Sequence, residues 1–250
     1  MHGLAEHSGR YAHVGAYLSS QGYNVFAYDQ RGHGRSGGMR SYIHSMDELI
    51  CDLRVIIAQI RQQEAELPLY VFGHSMGTQV VLSYVLESQD EVQGAIVSAP
   101  VIIAGEDVTP LLGMAIRVIS RLAPRFRTVA LSGGSVSRDP REVQKYNEDP
   151  LNYRGRIPAR TGAELIQTMD RIQARMHRIK LPILILHGTA DSLVSVSSSQ
   201  LLYETITSAD KTIRLFDGLY HEILNEPERE EVMGEIVAWL DARAIQGTSL

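Results

Sequence analysis

The chain has 250 residues, of which 44% are hydrophobic and 21% charged, and its formal net charge is -5. This length and apolar fraction suffice for one domain with a sizeable core and room for an insertion. The negative charge excludes nucleic acid as a partner, because phosphate binding needs clustered Lys and Arg. The single cysteine, Cys51, excludes an intrachain disulfide, and its apolar helical context predicts a buried thiol.

The same features indicate a compartment. One cysteine suits a reducing environment, and the first residues lack the basic and apolar regions of a signal peptide. No apolar run approaches the roughly 20 residues that cross a bilayer. We therefore expect a cytoplasmic protein, which can also lie peripheral to a membrane.

The first hundred residues alternate between helical and strand patterns. In chain order these are a helix over 11–20, a strand over 24–28, a helix over 49–60, and strands over 69–72 and 94–98. Near-continuous apolar strands between helices predict a mostly parallel sheet with helices on both faces.

The pattern changes between residues 101 and 180, where we find no convincing strand. Two helical patterns lie there, one over 111–122 that carries arginines and one over 165–176. Alternation of strand and helix then resumes with strands over 183–186 and 212–216. We therefore divide the chain into a core, formed by residues 1–100 and 181–250, and a helical insertion of residues 101–180.

A strand, a sharp turn and a helix meet at Gly73-His74-Ser75-Met76-Gly77. A G-x-S-x-G in this context is the signature of a nucleophile elbow, in which a tight turn strains the backbone of the serine. The bare pattern also occurs by chance, so the prediction depends on the strand before it and the helix after it. An ordinary glycine turn with a surface serine is the alternative.

A serine hydroxyl needs a base to remove its proton and an acid to orient that base. Asp191 follows the predicted strand over 183–186, and His221 follows the strand over 212–216. Open α/β sheets collect their chemistry at the carboxyl ends of their strands. The order of these residues is that of an α/β-hydrolase triad, with Ser75 as nucleophile, His221 as base and Asp191 as orienting acid.

Asp217 and His187 are weaker candidates for the acid and the base of the triad. Asp217 lies too close to His221 in sequence to be the orienting acid and is predicted to be a turn or capping residue, whereas His187 is predicted to hydrogen-bond locally.

The oxyanion of the transition state needs backbone donors. We assign them to the N–H groups of Met76, which follows the nucleophile, and of Leu4 in the early loop, residues 1–10.

The loop Gly32 to Gly37 matches G-x-G-x-x-G after a predicted strand. In a dinucleotide site the glycines stand at the strand-to-helix turn, whereas here Asp29 to Arg31 intervene and the next helix begins only near Ser45. We therefore predict no nucleotide cofactor. The early histidines lack cysteine or carboxylate partners at zinc-site spacing, so no metal is predicted.

Several motifs together resemble the monoacylglycerol lipase and lysophospholipase branch of the α/β-hydrolases. They are the Gly-His-Ser-Met-Gly elbow and the segments His2 to Tyr11, Tyr28 to Ser36, Asn147 to Leu151, His187 to Asp191 and Tyr220 to Glu222. The resemblance covers nearly the whole chain. It implies the α/β-hydrolase fold, a helical cap formed by the insertion, and a carboxylester hydrolase that cleaves monoacylglycerols or lysophospholipids through an acyl-enzyme on Ser75.

The resemblance also implies that Glu6 and Arg10 bind at the glycerol end of the substrate site, although they could only brace the loop. The arginine-bearing stretch over 111–122 is typical of helices that touch a membrane or micelle surface, or else packs on the core as a cap helix. Three alternative functions remain open: an esterase for small or aromatic esters, a non-catalytic binding protein and an inactive paralogue. The sequence leaves the oligomeric state open.

The family places several strands before the His-Gly motif, and the last of them lies beside the elbow strand. This sequence begins at that motif, so we expect the N-terminal strands to be missing and the sheet to hold about five strands. A missing central strand would leave backbone groups without partners and the early loop without its anchor. The activity of this chain is therefore an open question at this point.

Overall fold

The computed structural model describes residues 1–105, 108–130 and 136–244. Its main sheet has four strands, β1 Tyr70–His74, β2 Gly94–Ser98, β5 Ile183–Gly188 and β6 Lys211–Phe216. All are parallel and lie in the order β1-β2-β5-β6. Gly73 pairs with Val97, and Val97 pairs with Ile185. The carboxyl ends of the four strands therefore meet at one edge.

Helices cover both faces of this sheet. The helices of the described residues are α1 Ala12–Ser20, α2 Met46–Gln63, α3 Met76–Ser88, α4 Pro110–Leu122, α5 Pro140–Glu148, α6 Ala159–Arg175, α7 Ser197–Thr205 and α8 Arg229–Ala244, of which α4, α5 and α6 lie in the segment between β2 and β5. Val97 and Ile185 pack in one core cluster with α2 and α3, whereas Ile96 and Leu184 pack in another with α1 and α8. The prediction of a mostly parallel sheet with helices on both faces is confirmed. None of the helices described is long and apolar enough to cross a membrane.

The segment between β2 and β5 contains two short strands as well as helices. β3 Arg127–Ala130 and β4 Arg156–Pro158 pair antiparallel, with Arg127 opposite Pro158. The prediction that residues 101–180 contain no strand is therefore wrong. Strands of three or four residues are too short to produce a readable alternation of apolar and polar residues.

Residues 24–28, predicted as a strand, pair with no strand in the described part of the chain. A slot of about 560 Å³ separates this segment from β1, and apolar side chains line both of its walls. Val25 and Phe26 are 41% and 46% exposed. Among residues 1–105, 108–130 and 136–244 no backbone lies beside the segment to form a ladder, so the expected sheet of about five strands has four in this part of the chain.

Met1 lies at one end of this slot and is bonded to β1. Its amino group donates to the Phe72 carbonyl oxygen at 2.6 Å, and its carbonyl oxygen accepts from the His74 N–H at 3.0 Å. A residue in a parallel ladder makes this pair of bonds. Burial lowers the pKa of the Met1 amino group to about 6. One residue thus attaches the early loop to the elbow strand.

Helix α2 buries its predicted apolar stripe but exposes its cysteine. Leu49, Leu53 and Ile57 are buried, whereas Cys51 is exposed. Cys51 lies two positions from Leu49 and from Leu53, which is the opposite side of a helix with 3.6 residues per turn. The prediction of a buried thiol is therefore wrong.

Candidate active site

Ser75 lies at the turn between β1 and α3. Its backbone has φ 51° and ψ -123°, a conformation that costs energy for a residue with a side chain and persists only where its surroundings impose it. The Ser75 N–H donates to the Ser98 carbonyl oxygen at 2.9 Å, and the Thr78 N–H donates to the Ser75 carbonyl oxygen at 2.9 Å. A strained serine between strand and helix is the geometry of a nucleophile elbow.

Gly77 allows α3 to approach the early loop. A Cβ atom at this position would lie 2.4 Å from the Met1 carbonyl oxygen and 2.7 Å from that of His2. Any side chain would therefore push the early loop away from the elbow. The close approach also sets Gly3 beside Ser75, since a Cβ atom on Gly3 would lie 3.2 Å from that of the serine.

Buried side chains hold the early loop in place. The Gln30 N–H donates to His2 Nε2 at 2.9 Å, and Gln30 Nε2 donates to the His2 carbonyl oxygen at 2.7 Å. The Gly3 N–H donates to Glu6 Oε1 at 2.5 Å. With the two bonds from Met1 to β1, these contacts anchor the loop that the sequence predicted to be unanchored.

The two predicted oxyanion donors are the N–H groups of Leu4 and Met76. Leu4 follows Gly3 in the early loop, and Met76 is the first residue of α3, where helical N–H groups have no intrahelical acceptor. Among the residues described, neither N–H donates a hydrogen bond. Both groups are therefore available to an oxygen atom near Ser75.

Asp191 and His221 meet at the carboxyl ends of β5 and β6. His221 Nδ1 donates to Asp191 Oδ2 at 2.7 Å, and both side chains are buried. The N–H groups of Leu193 and Val194 donate to Asp191 Oδ1 at 2.8 and 3.0 Å. The bond to Nδ1 leaves Nε2 of His221 free to receive a proton.

Hydrogen bonds and charge oppose the effect of burial on these two residues. Burial alone would raise the pKa of Asp191, but hydrogen bonds from His187 and His221 hold it well below its usual range. Burial alone would lower the pKa of His221, but the hydrogen bond and charge of Asp191 raise it above its ordinary value. The pair therefore exists as a carboxylate beside a relatively basic imidazole.

A glycine lets the loops that carry this pair come together. A Cβ atom on Gly188, the last residue of β5, would lie 2.3 Å from the Leu219 carbonyl oxygen and 2.4 Å from that of Tyr220. The chain leading to His221 therefore crosses directly over the end of β5.

His221 lies beside the elbow. Its ring centroid is 4.7 Å from that of His74, the residue before Ser75, and burial lowers the pKa of His74 to about 3, so that ring is neutral. Within the described ranges His221 is hydrogen-bonded to Asp191, and no hydrogen bond joins it to Ser75. Catalytic hydrogen bonds often tighten only when substrate binds.

Glu6 and Arg10 belong to a buried ionic network. Arg10 Nη1 donates to Glu6 Oε2 at 2.8 Å, and its two terminal nitrogens donate to the two carboxylate oxygens of Glu222 at 2.5 and 2.6 Å. The Tyr11 hydroxyl donates to Glu6 Oε1 at 2.8 Å. The network links the early loop to the segment that carries His221, so its contacts are those of a brace.

The sequence did not reveal the role of Glu222 in this network or, outside the network, the contact between His187 and Asp191. Glu222 is 5% exposed and directly follows His221, and this adjacency was the available signal. His187, predicted to bond locally, contacts Asp191. Asp217 accepts from the Thr189 hydroxyl at 3.1 Å on the surface, in agreement with its predicted role in a turn.

The segment 101–180 touches the early loop. His7 Nε2 and Asp149 Oδ2 are 2.8 Å apart, and the Tyr153 N–H donates to the Ala5 carbonyl oxygen at 2.8 Å. Asp149 lies in the stretch Asn147 to Leu151, one of the motifs behind the resemblance. This motif therefore fixes the inserted segment against the loop that carries Leu4.

Comparison with known proteins assigns the chain to a family. A family model described as serine aminopeptidase, S33, matches residues 1–228. Monoacylglycerol lipase of Mycolicibacterium smegmatis is 36% identical over 239 residues, covering 96% of this chain and 85% of that protein. Monoglyceride lipase of Homo sapiens is 31% identical over 252 residues, covering 99% and 83%.

A solved structure agrees with the sequence matches. The crystal structure of Paleococcus ferrophilus monoacylglycerol lipase has a TM-score of 0.89 at 34% identity, covering 97% of this chain and 93% of that chain. The chain therefore belongs to the serine aminopeptidase S33 family, in the monoacylglycerol lipase-like branch of the α/β-hydrolase carboxylester hydrolases.

Proposed function

We propose that this protein hydrolyses monoacylglycerols or lysophospholipids through an acyl-enzyme on Ser75. The observation that carries the proposal is the 2.7 Å hydrogen bond between Asp191 and His221. It lies at the same edge of the sheet as Ser75, whose backbone is strained. Relatives named monoacylglycerol lipase support the substrate class. They do not favour an esterase for small or aromatic esters, a binding protein or an inactive paralogue.

Acylation begins when His221 Nε2 takes the hydroxyl proton of Ser75 and Oγ attacks the ester carbonyl carbon. The carbonyl oxygen becomes an oxyanion, which the N–H groups of Leu4 and Met76 stabilise. His221 then gives its proton to the glycerol oxygen as the ester C–O bond breaks. Asp191 holds the imidazole tautomer and stabilises the imidazolium throughout.

Deacylation repeats these steps with water as the nucleophile. His221 takes a proton from water, the hydroxyl oxygen attacks the acyl carbon, and the fatty acid leaves as the proton returns to Ser75. No metal or cofactor takes part in this scheme. Glu6 and Arg10 lie at the glycerol end of the proposed substrate site, where their role is to fix the early loop through their network with Glu222.

A fluorophosphonate probe tests the nucleophile. We expect it to label Ser75, and we expect labelling to be abolished in Ser75→Ala and reduced in His221→Ala. Thr189→Ala, which removes a surface hydroxyl bonded to Asp217, is the matched control and should label normally. A folded protein that is not labelled would contradict the proposed mechanism.

A substrate series tests the specificity. Monoacylglycerols of rising chain length should be cleaved faster than p-nitrophenyl esters of short or aromatic acids. Faster cleavage of the short esters, or of an aminoacyl amide as the family description would allow, would reassign the substrate class while leaving Ser75 as nucleophile.

The proposal includes a cap, formed by residues 101–180, that meets lipid through α4. Gly113, Ile116 and Ser120 are buried, and α4 packs against α6 through this side. The other side exposes large apolar side chains, namely Leu111 (73%), Leu112 (42%), Met114 (60%), Val118 (50%), Leu122 (83%) and nearby Phe126 (57%). Exposed Arg121 and Arg125 flank this apolar face. Such a face suits an anionic lipid surface.

Vesicle sedimentation tests this contact. We expect the protein to bind vesicles that contain anionic phospholipid, and expect Leu111→Asp with Leu122→Asp to weaken binding without changing hydrolysis of a water-soluble ester. Val55→Asp is the matched control, since Val55 is 56% exposed on α2. Equal binding by the α4 variant and the control would refute a lipid-contacting α4.

A further inference from the structure

His187 is a buried histidine that shares a carboxylate oxygen with His221. It lies in β5 and is fully buried, as is the Asp191 side chain. His187 Nε2 is 3.1 Å from Asp191 Oδ2, the same oxygen that accepts from His221 Nδ1. Two imidazoles therefore converge on one oxygen atom.

The surroundings of the His187 ring determine which nitrogen carries hydrogen. Nε2 faces two acceptors, Asp191 Oδ2 and the Val194 carbonyl oxygen at 3.0 Å. It must therefore bear a hydrogen in either charge state of the ring. On the other side, Nδ1 is 2.7 Å from the Ser199 hydroxyl oxygen at the start of α7. In the neutral ring the hydroxyl donates to Nδ1 and fixes the tautomer.

We propose that His187 is a positioning residue. By donating a second hydrogen bond to Asp191 Oδ2, it weakens the attraction of this oxygen for the proton that His221 carries on Nδ1. The other carboxylate oxygen, Oδ1, accepts from two backbone N–H groups, so each oxygen of Asp191 accepts two hydrogen bonds. The His187 bond limits the negative charge that Oδ2 presents to His221. It is also the hydrogen bond that most lowers the pKa of Asp191. The inference rests on the proposed triad.

Other charged and titratable groups also face His221. They are Asp191 beyond β5, His74 in β1, Glu222 in the same segment, Glu6 in the early loop, and Arg10 paired with both glutamates. Substitution of His187 leaves all of these groups in place. A shift in the pKa of His221 in a His187 variant would therefore reflect the changed hydrogen bonding of Asp191 Oδ2.

The test compares His187→Leu with His187→Gln. Leucine removes the donor, whereas the glutamine amide nitrogen can reach the position of Nε2. In His187→Leu, Asp191 Oδ2 has lost one hydrogen bond and attracts the His221 proton more strongly, which raises the pKa of His221. The midpoint of the acidic limb of kcat/KM should therefore shift to higher pH by about 0.5 unit or more. His187→Gln should return the limb toward the wild-type position. If His187→Leu does not fold, His187→Asn provides the donor-deficient variant, since its amide is too short.

A purely structural role would give a different result. It would lower the melting temperature of both variants while their acidic limbs coincide with that of the wild type, and this outcome would overturn the proposal. Equal shifts in the Leu and Gln variants would overturn it too. Wild-type hydrolysis and its loss in Ser75→Ala, measured in parallel, test the triad separately from His187.

Discussion

At the scale of single residues, the proposed mechanism makes activity depend on the titration of His221. The imidazole must be neutral to accept the Ser75 proton, and Asp191 raises its pKa above the ordinary value despite burial. Activity is therefore present above that pKa and lost as the pH falls through it. We expect the acidic limb of kcat/KM for a soluble ester to have its midpoint above about 6.5.

Asp191→Asn checks the cause of this shift. If the proposed triad acts, loss of the negative charge should lower the pKa of His221 and reduce kcat by roughly 10⁴-fold, as in known Ser-His-Asp triads. Asp217→Asn, an exposed acid four positions before His221, is the control and should leave the pH profile unchanged. A midpoint below 6 in the wild type would contradict the raised pKa.

Residue roles differed in how far they could be predicted. Ser75, Asp191 and His221 were candidates because each lies within a few residues of the carboxyl end of a strand that an apolar run reveals. The bond between His187 and Asp191 was not predictable, because it depends on how the loop after β5 folds back over the strand. Burial of Cys51 was mispredicted because the prediction used the apolar context of the helix, whereas the helical period places Cys51 opposite the buried stripe of Leu49 and Leu53.

At the scale of elements, the elbow depends on a close approach that a single methyl group would disturb. A Cβ atom on residue 77 would lie 2.4 Å from the Met1 carbonyl oxygen. We expect Gly77→Ala to move the early loop and with it the Leu4 N–H. Displacement of one oxyanion donor should lower kcat by about 10- to 100-fold, and the crowding should destabilise the fold by about 1–3 kcal/mol.

Gly234→Ala in α8 provides the matched control. The nearest atom to an added Cβ there is the Tyr17 hydroxyl at 4.0 Å, so activity should be unchanged. Helix propensity predicts a small gain in stability. Normal kcat in Gly77→Ala would show that the early loop tolerates displacement or that Leu4 is not a donor.

Strands were predictable where their partners exist. β1, β2, β5 and β6 all appear where apolar runs predicted them. The runs are continuous in β2 and β5, because every residue of these two central strands is buried. Residues 24–28 have a similar apolar pattern but face β1 across a slot. A propensity for extended structure becomes a strand only when another backbone supplies hydrogen bonds.

At the scale of the whole molecule, the slot and the Met1 amino group affect stability together. The folded amino group has a pKa of about 6 against an ordinary value of 8.0, with burial as the main cause. Between these values the amino group binds more protons in the unfolded 250-residue chain than in the folded one, so its contribution to stability should rise as the pH increases from 6 to 8. A shift of two units corresponds to about 3 kcal/mol.

Extension of the chain at Met1 by six apolar, β-favouring residues should remove the cost of burying the Met1 amino group, and the added residues should fill the slot. The added strand would continue the parallel ladder from Met1 along β1 and cover Val25 and Phe26. A net gain of about 2–3 kcal/mol would raise the melting temperature by roughly 5–10 °C. A glycine-serine extension of equal length moves the charge out of the core without filling the slot, so it should flatten the pH dependence but give a smaller rise. Equal melting temperatures for the two extensions would show that the slot does not accept a strand.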